Sequence, residues 1–150
     1  MPSWAKQKDF RPLINARIET IDEKVSFKKL IKTTRCVVVM DGFYEWKRSK
    51  ESKTPFYFTR EDKKPLYVAG IFENNEFCLI TEEASENVMN IHHRQPVILE
   101  ENDLNDYLNL ENSGSEFLND CAKQDLVFHE VSKEVNKPSN NYGNLIKKIN

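Results

Sequence analysis

Three cysteines in 150 residues, Cys36, Cys78 and Cys121, are too few and too scattered to build on. The count is odd and no CxxC pair occurs, which excludes a disulfide framework and a thiolate zinc site. Each thiol sits among apolar neighbours, so buried structural cysteines are expected, in a reducing, cytoplasmic setting. No apolar run reaches membrane-spanning length, and the N-terminus lacks the basic-then-apolar pattern of a secretion signal. Excess positive charge is lacking too: the formal net charge is -2. Any nucleic-acid binding must therefore come from a local basic patch. Repeats and linkers are absent, and the length suits one domain, residues 1–150, with a real core.

What is present is a series of short apolar segments separated by turns. Leu13 to Thr20 alternates, with Ile14, Ala16 and Ile18 on one face and Asn15, Arg17 and Glu19 on the other, as in a half-buried strand. Ser26 is placed to cap a helix carrying Phe27, Leu30 and Ile31. Cys36 to Met40 is β-branched and reads as a buried strand. Asp41-Gly42 then predicts a tight bend into a second strand. Further strands are expected at Pro55–Thr59, Leu66–Phe72, Phe77–Thr81, Pro96–Leu99 and Leu126–Val131. Ala84, Val88 and Ile91 form an i, i+4, i+7 stripe, predicting a helix over Glu82 to Asn90. Leu104, Tyr107 and Leu108 mark another helix. Ser113 to Glu116 has capping-box spacing before a third. This pattern predicts an α+β fold built on a curled, mostly antiparallel sheet with peripheral helices.

The segment Asp41 to Lys47, Asp-Gly-Phe-Tyr-Glu-Trp-Lys, carries the most chemistry. Glu45 lies among Phe43, Tyr44 and Trp46. A desolvated carboxylate has a raised pKa and suits proton transfer near neutral pH. The plainer reading, with Glu45 in water and paired to Lys47 or Arg48, stays open at this point. Asn15 and Arg17 share a strand face, as a ladder satisfier and a solvated charge or as site residues. His92 and Arg94 lie between a helix and a strand, where His92 could simply be a cation at a helix C-terminus. His92 and His93 are adjacent and have no Cys or Asp partners at ligand spacing, so no metal is expected.

In order along the chain, four segments resemble the SOS-response-associated peptidase (SRAP) family. They are Pro2-Ser3-Trp4-Ala5-Lys6, Ile14-Asn15-Ala16-Arg17 through Glu19-Thr20, Arg35-Cys36 with Asp41 to Lys47, and His92 to Leu99. Ala69-Gly70 with Phe72-Glu73, Leu79-Ile80-Thr81 and Val131 to Asn136 extend the match. Gln95 and Tyr107 depart from it, standing where Met and Trp are usual.

The resemblance implies a barrel-like fold and a protein that acts on abasic sites in single-stranded DNA, without a cofactor. In the family an N-terminal cysteine condenses its amine with the abasic aldehyde, and its thiol then closes a thiazolidine ring, crosslinking protein to DNA. It implies Glu45 as acid/base, His92 as its assistant at the sugar oxygen and Asn15 as the residue orienting the amine. Arg17 and Arg94 would hold flanking phosphates, and Trp4 would supply an aromatic wall. The family's Cys-Gly-Arg start, and the N-terminal strands that follow it, are expected upstream of Met1. The sequence as given would then keep the supporting residues without the nucleophile. Two other functions fit the same residues: a non-catalytic single-stranded DNA binding module, and a peptidase or autoprotease using Glu45 and His92.

Overall fold

The computed structural model describes residues 14–149. Its strands form two sheets. The larger is assembled from β1 (Asn15–Arg17), β2 (Arg35–Met40), β5 (Leu66–Glu73) and β6 (Glu76–Glu83), in the order β1-β6-β5-β2. All pairings are antiparallel except β1 on β6. Strands β5 and β6 pair only next to their turn, Gly70 to Glu73 against Glu76 to Leu79. Asn74 makes that turn in the left-handed region, with φ 57°. Beyond it the two strands part, and β7 (Arg94–Pro96) and β8 (Ile98–Leu99) wedge into the gap, pairing with β6 and β5 respectively. Val97 bridges both sides: its N–H donates to Ile80 and its carbonyl accepts from Ala69. The second sheet holds β3 (Phe43–Arg48), β4 (Lys53–Thr59) and β9 (Val127–Glu130), in that order. The α+β class and the mostly antiparallel pairing match the expectation. Among the described residues the strands form two sheets that do not close into a barrel.

Two hydrophobic cores follow from this division. One joins Ala16, Ile21, Ile31, Ile71, Ile80 and Leu99 beneath the larger sheet, with Tyr107 and Leu118 from α3 (Leu104–Leu108) and α4 (Gly114–Asp120). The other fills the space between sheets with Phe58, Leu66, Val68, Ile98 and Leu126. Val88 and Ala84 complete it, so the predicted apolar stripe packs inward, with Ile91 against it. Its helix is far shorter than expected. Strand β6 runs on to Glu83, and only Glu86–Met89 (α2) is helical.

Other expectations shift for local reasons. The alternating N-terminal strand ends at Arg17, and Ile18 to Thr20 turn as a 3-10 helix. Ala16 and Ile18 are buried as predicted, whereas Ile14 is 69% exposed. Ser26 caps nothing, because α1 begins later, at Leu30–Thr33. Ser113 occupies the N-cap of α4 without making the side-chain bond. A capping box forms instead around Glu100 and Asp103.

The β2 strand is half-buried, with Val39 exposed; its deepest residue is Arg35, 6% exposed. One guanidinium nitrogen donates to the carbonyls of Asn109 and Asn112, and the group lies over the Tyr107 ring. Tyr107, at one departure from the family pattern, is fully buried and donates its hydroxyl to Gly70 O at 2.8 Å. Of the thiols, Cys78 is buried and Cys36 and Cys121 are partly so; none of the three is in a disulfide among the described residues.

Asp41-Gly42 joins strands that are not partners. β2 belongs to the larger sheet and β3 to the smaller, so the chain crosses between sheets here. Gly42 has no positive φ. It is needed for close approach: a Cβ there would meet Phe58 O at 2.4 Å and the Tyr57 ring at 2.5 Å.

Candidate functional site

The crossing at Gly42 lays edge strand β3 beside the mouth of the β6–β7 wedge and beside edge strand β1. A cavity of about 430 Å³ lies between them. Asn15 and Arg17 from β1, Tyr44 and Glu45 from β3, and His92 and Arg94 from the wedge all line it. Five of the six sequence-selected residues therefore converge, from three segments up to 79 positions apart (94 − 15). Trp4 lies outside the described residues.

Asn15 and Arg17 reach the cavity by strand alternation. Ala16 between them is fully buried, in parallel register with Ile80, so both polar neighbours turn outward. Glu45 arrives on β3 opposite Phe56, and its side chain is 28% exposed. Burial pushes its carboxyl above the usual value of 4.5. His92, the Trp46 N–H, Arg48 and His93 pull the other way. Glu45 is thus partly desolvated, and Arg48 acts only as a weaker counter-charge.

The His92 ring follows the short helix α2. Its backbone N–H donates to Val88 O, and its Nδ1 lies 3.8 Å from a Glu45 carboxylate oxygen. The same Nδ1 is 3.0 Å from Arg94 O and 3.3 Å from Arg94 N. The backbone of residue 94 therefore fixes the ring. A carboxyl whose hold on its proton is strengthened by burial, beside an imidazole, can give a proton to one atom and take one from another.

Arg94 is differently employed. Its fork grips the Glu19 carboxylate at 2.6 and 2.9 Å and donates to Thr81 O at 2.6 Å. These bonds hold Glu19 below the usual carboxylate range. Arg94 thereby ties the end of β1 to the His92 loop. Gln95 beside it is 1% exposed: its amide oxygen accepts from Ser85 N at 2.8 Å, and its NH2 donates to Glu82 at 3.1 Å.

Sequence reasoning did not assign a second cavity of about 330 Å³ that also touches Glu45 and His92. Trp46, Arg48, Lys53 and Asn136 complete its lining. The Trp46 indole N–H donates to Asn136 Oδ1 at 2.8 Å, tying β3 to the C-terminal segment. The run of lysines after Glu45 was the available signal. Among the described residues, no three His, Cys, Asp or Glu side chains cluster to hold a metal ion, and no helix is long and apolar enough to cross a membrane.

The family model described as SOS response associated peptidase (SRAP) matches residues 1–138. The chain belongs to the SRAP family. Among SRAP relatives it is 34% identical to the abasic site processing protein YoqW of Bacillus subtilis, covering 97% of this chain and 72% of that one. It is 31% identical to the abasic site processing protein YedK of Escherichia coli, over 99% of this chain and 71% of that one. A crystal structure of a protein from Bacteroides thetaiotaomicron superposes with a TM-score of 0.77 at 27% identity, over 90% of this chain. The present chain spans 65% of that protein's length.

Proposed function

We propose that this SRAP domain processes abasic sites in single-stranded DNA. In this reading Glu45 is the acid/base, His92 its proton partner, Asn15 the orienting amide and Arg17 a phosphate contact. The observation that carries the reading is the half-buried Glu45 carboxyl, its pKa raised by burial, with His92 Nδ1 at 3.8 Å in a cavity that Asn15 and Arg17 also line. Capture of an aldehyde by an amine expels a hydroxyl as water, which needs a proton donor. Closure of a ring by a thiol releases a proton, which needs an acceptor. A carboxyl whose pKa lies closer to neutrality serves both steps.

Cys36, Cys78 and Cys121 are unsuited as the nucleophile. Burial pushes all three thiols up, Cys121 to about 11, and none lines the cavity. The site described is the acid/base and binding half of the reaction.

The test uses oligonucleotides with and without one abasic site. Tighter binding to the abasic strand is expected, together with, in a form of the chain that carries the family's N-terminal cysteine, covalent capture that Glu45→Gln slows by about 10²–10⁴-fold. Equal affinity for both strands, with no reaction that depends on Glu45, would leave only a lesion-blind binding module. Release of an N-terminal peptide from a longer precursor, blocked by Glu45→Gln, would instead favour the peptidase reading.

A further inference from the structure

Five arginines fall among the described residues, and three have their guanidinium groups engaged. Arg35 is buried on two carbonyls, Arg60 pairs with Asp62 and Glu100, and Arg94 pairs with Glu19. Arg17 and Arg48 are exposed, with no ion pair or side-chain hydrogen bond among the described residues. Each lines one of two cavities, and Glu45 and His92 line both. The two open guanidinium groups therefore line separate cavities that share the Glu45–His92 pair.

The Arg48 side is built for an anion. Lys53 stands directly opposite Arg48 in the β3–β4 register. Lys47 and Lys50 add two further exposed cations, against Glu51 as the single acid from residue 47 to residue 53. Asn136 spends its amide oxygen on Trp46, which leaves its NH2 as a donor at the same cavity. An arginine fork, an ammonium group and an amide NH2 around one space match the oxygens of a phosphodiester.

We infer that the second cavity is a phosphate subsite of a DNA strand that straddles Glu45 and His92, with Arg48 and Lys53 on one side and Arg17 on the other. The inference rests on the single-stranded DNA reading above and moves the second phosphate contact from Arg94 to Arg48. Arg94, its fork filled by Glu19, becomes a positioning residue for the His92 loop. Phosphate binding also offsets the Arg48 charge that now draws Glu45 toward ionisation, so an occupied subsite favours the protonated acid.

The experiment is fluorescence anisotropy over a range of salt, using oligonucleotides that carry one tetrahydrofuran abasic analogue. Three designs are compared, with nucleotides on both sides of the analogue, on the 5′ side only and on the 3′ side only. Arg48→Gln/Lys53→Gln is expected to weaken binding to the two-sided strand by about tenfold and to flatten the log–log salt slope by about 0.7, one phosphate on a single strand. On one of the one-sided strands the double variant should match wild type while Arg17→Gln weakens binding; on the other the pattern should reverse. Wild-type affinity and slope in the double variant overturn the subsite and leave the DNA reading standing. Loss by both variants on the same one-sided strand overturns the straddling path. A wild-type protein that binds none of the three removes the reading and the inference together. Arg48 and Lys53 are exposed, so an unchanged thermal melt confirms that the variant is folded.

Discussion

On the larger-sheet wall of the site the charges are paired, Arg17 excepted, whereas on the smaller-sheet wall the cations have no carboxylate ion partner among the described residues. On the wall from the larger sheet, Glu19 and Arg94 neutralise each other, Arg94 also holds Thr81, and the Gln95 amide is satisfied at both ends. On the wall from the smaller sheet, Glu45 is desolvated, and Arg48 and Lys53 have no carboxylate ion partner among the described residues. A charge that is already paired can position its neighbours and has little left to give a ligand. A charge left unpaired at a cavity is available for binding or proton transfer, at some expense of fold stability. The larger-sheet wall fixes His92, and the smaller-sheet wall supplies the desolvated carboxyl and two unpaired cations.

The sharpest way to break this arrangement is at the crossing that brings the walls together. Gly42→Ala places a methyl group against the Phe58 carbonyl and the Tyr57 ring, and the backbone oxygen cannot rotate away. We expect destabilisation of about 3 kcal/mol, read by urea denaturation, with loss of DNA binding in the fraction that remains folded. A smaller effect separates a locked arginine from an open one on the larger-sheet wall. Arg94→Ala removes charged hydrogen bonds to Thr81 and Glu19 and should cost about 2 kcal/mol, less if solvent screens the partly exposed Glu19. Arg17→Gln, across the same cavity, should stay within about 0.5 kcal/mol of wild type while weakening DNA binding. Equal destabilisation by the two variants would erase the distinction between a locked and an open arginine.

Much of the fold was legible because it depends on local pattern. Ala16 and Ile18 lie inside by alternation, and Ala84, Val88 and Ile91 pack inward at helical spacing even though their helix has one turn. What was not legible depended on partners distant in sequence. Nothing local told that β2 and β3 belong to different sheets, or that Gly42 is required by Phe58 O and not by its own φ. The candidate site was readable in composition, since Asn15, Arg17, Glu45, His92 and Arg94 line one cavity. The state of each charge was not. Arg17 and Arg94 look equivalent in sequence, and only the fold delivers Glu19 to one of them. Arg48 and Lys53 are five positions apart in sequence, and only the pairing of β3 with β4 sets them opposite each other.

The two glutamates allow the smallest and most specific test, because their pKa shifts have opposite signs. Glu19 is held low, first by the Arg94 hydrogen bonds. Its contribution to stability is present above the ordinary value of 4.5 and is lost as pH falls through the lowered pKa. Glu45 is raised, first by burial. The folded state then binds its proton more tightly than the unfolded chain does, so its contribution falls as pH rises from the ordinary value through the raised one. Ionised Glu45 therefore opposes folding at neutral pH, and Glu45→Gln should melt slightly above wild type there. The gap should close below the ordinary carboxylate pKa, where wild type is protonated as well. Glu82 is raised by burial in the same sense, but both proteins retain it, so the difference between their melting curves isolates residue 45. Glu19→Gln should behave in the reverse way, melting below wild type at neutral pH and converging with it in acid. If Glu45→Gln instead lowers the melting temperature at neutral pH, Glu45 is a stabilising counter-ion of His92 and Arg48, and both walls are locked.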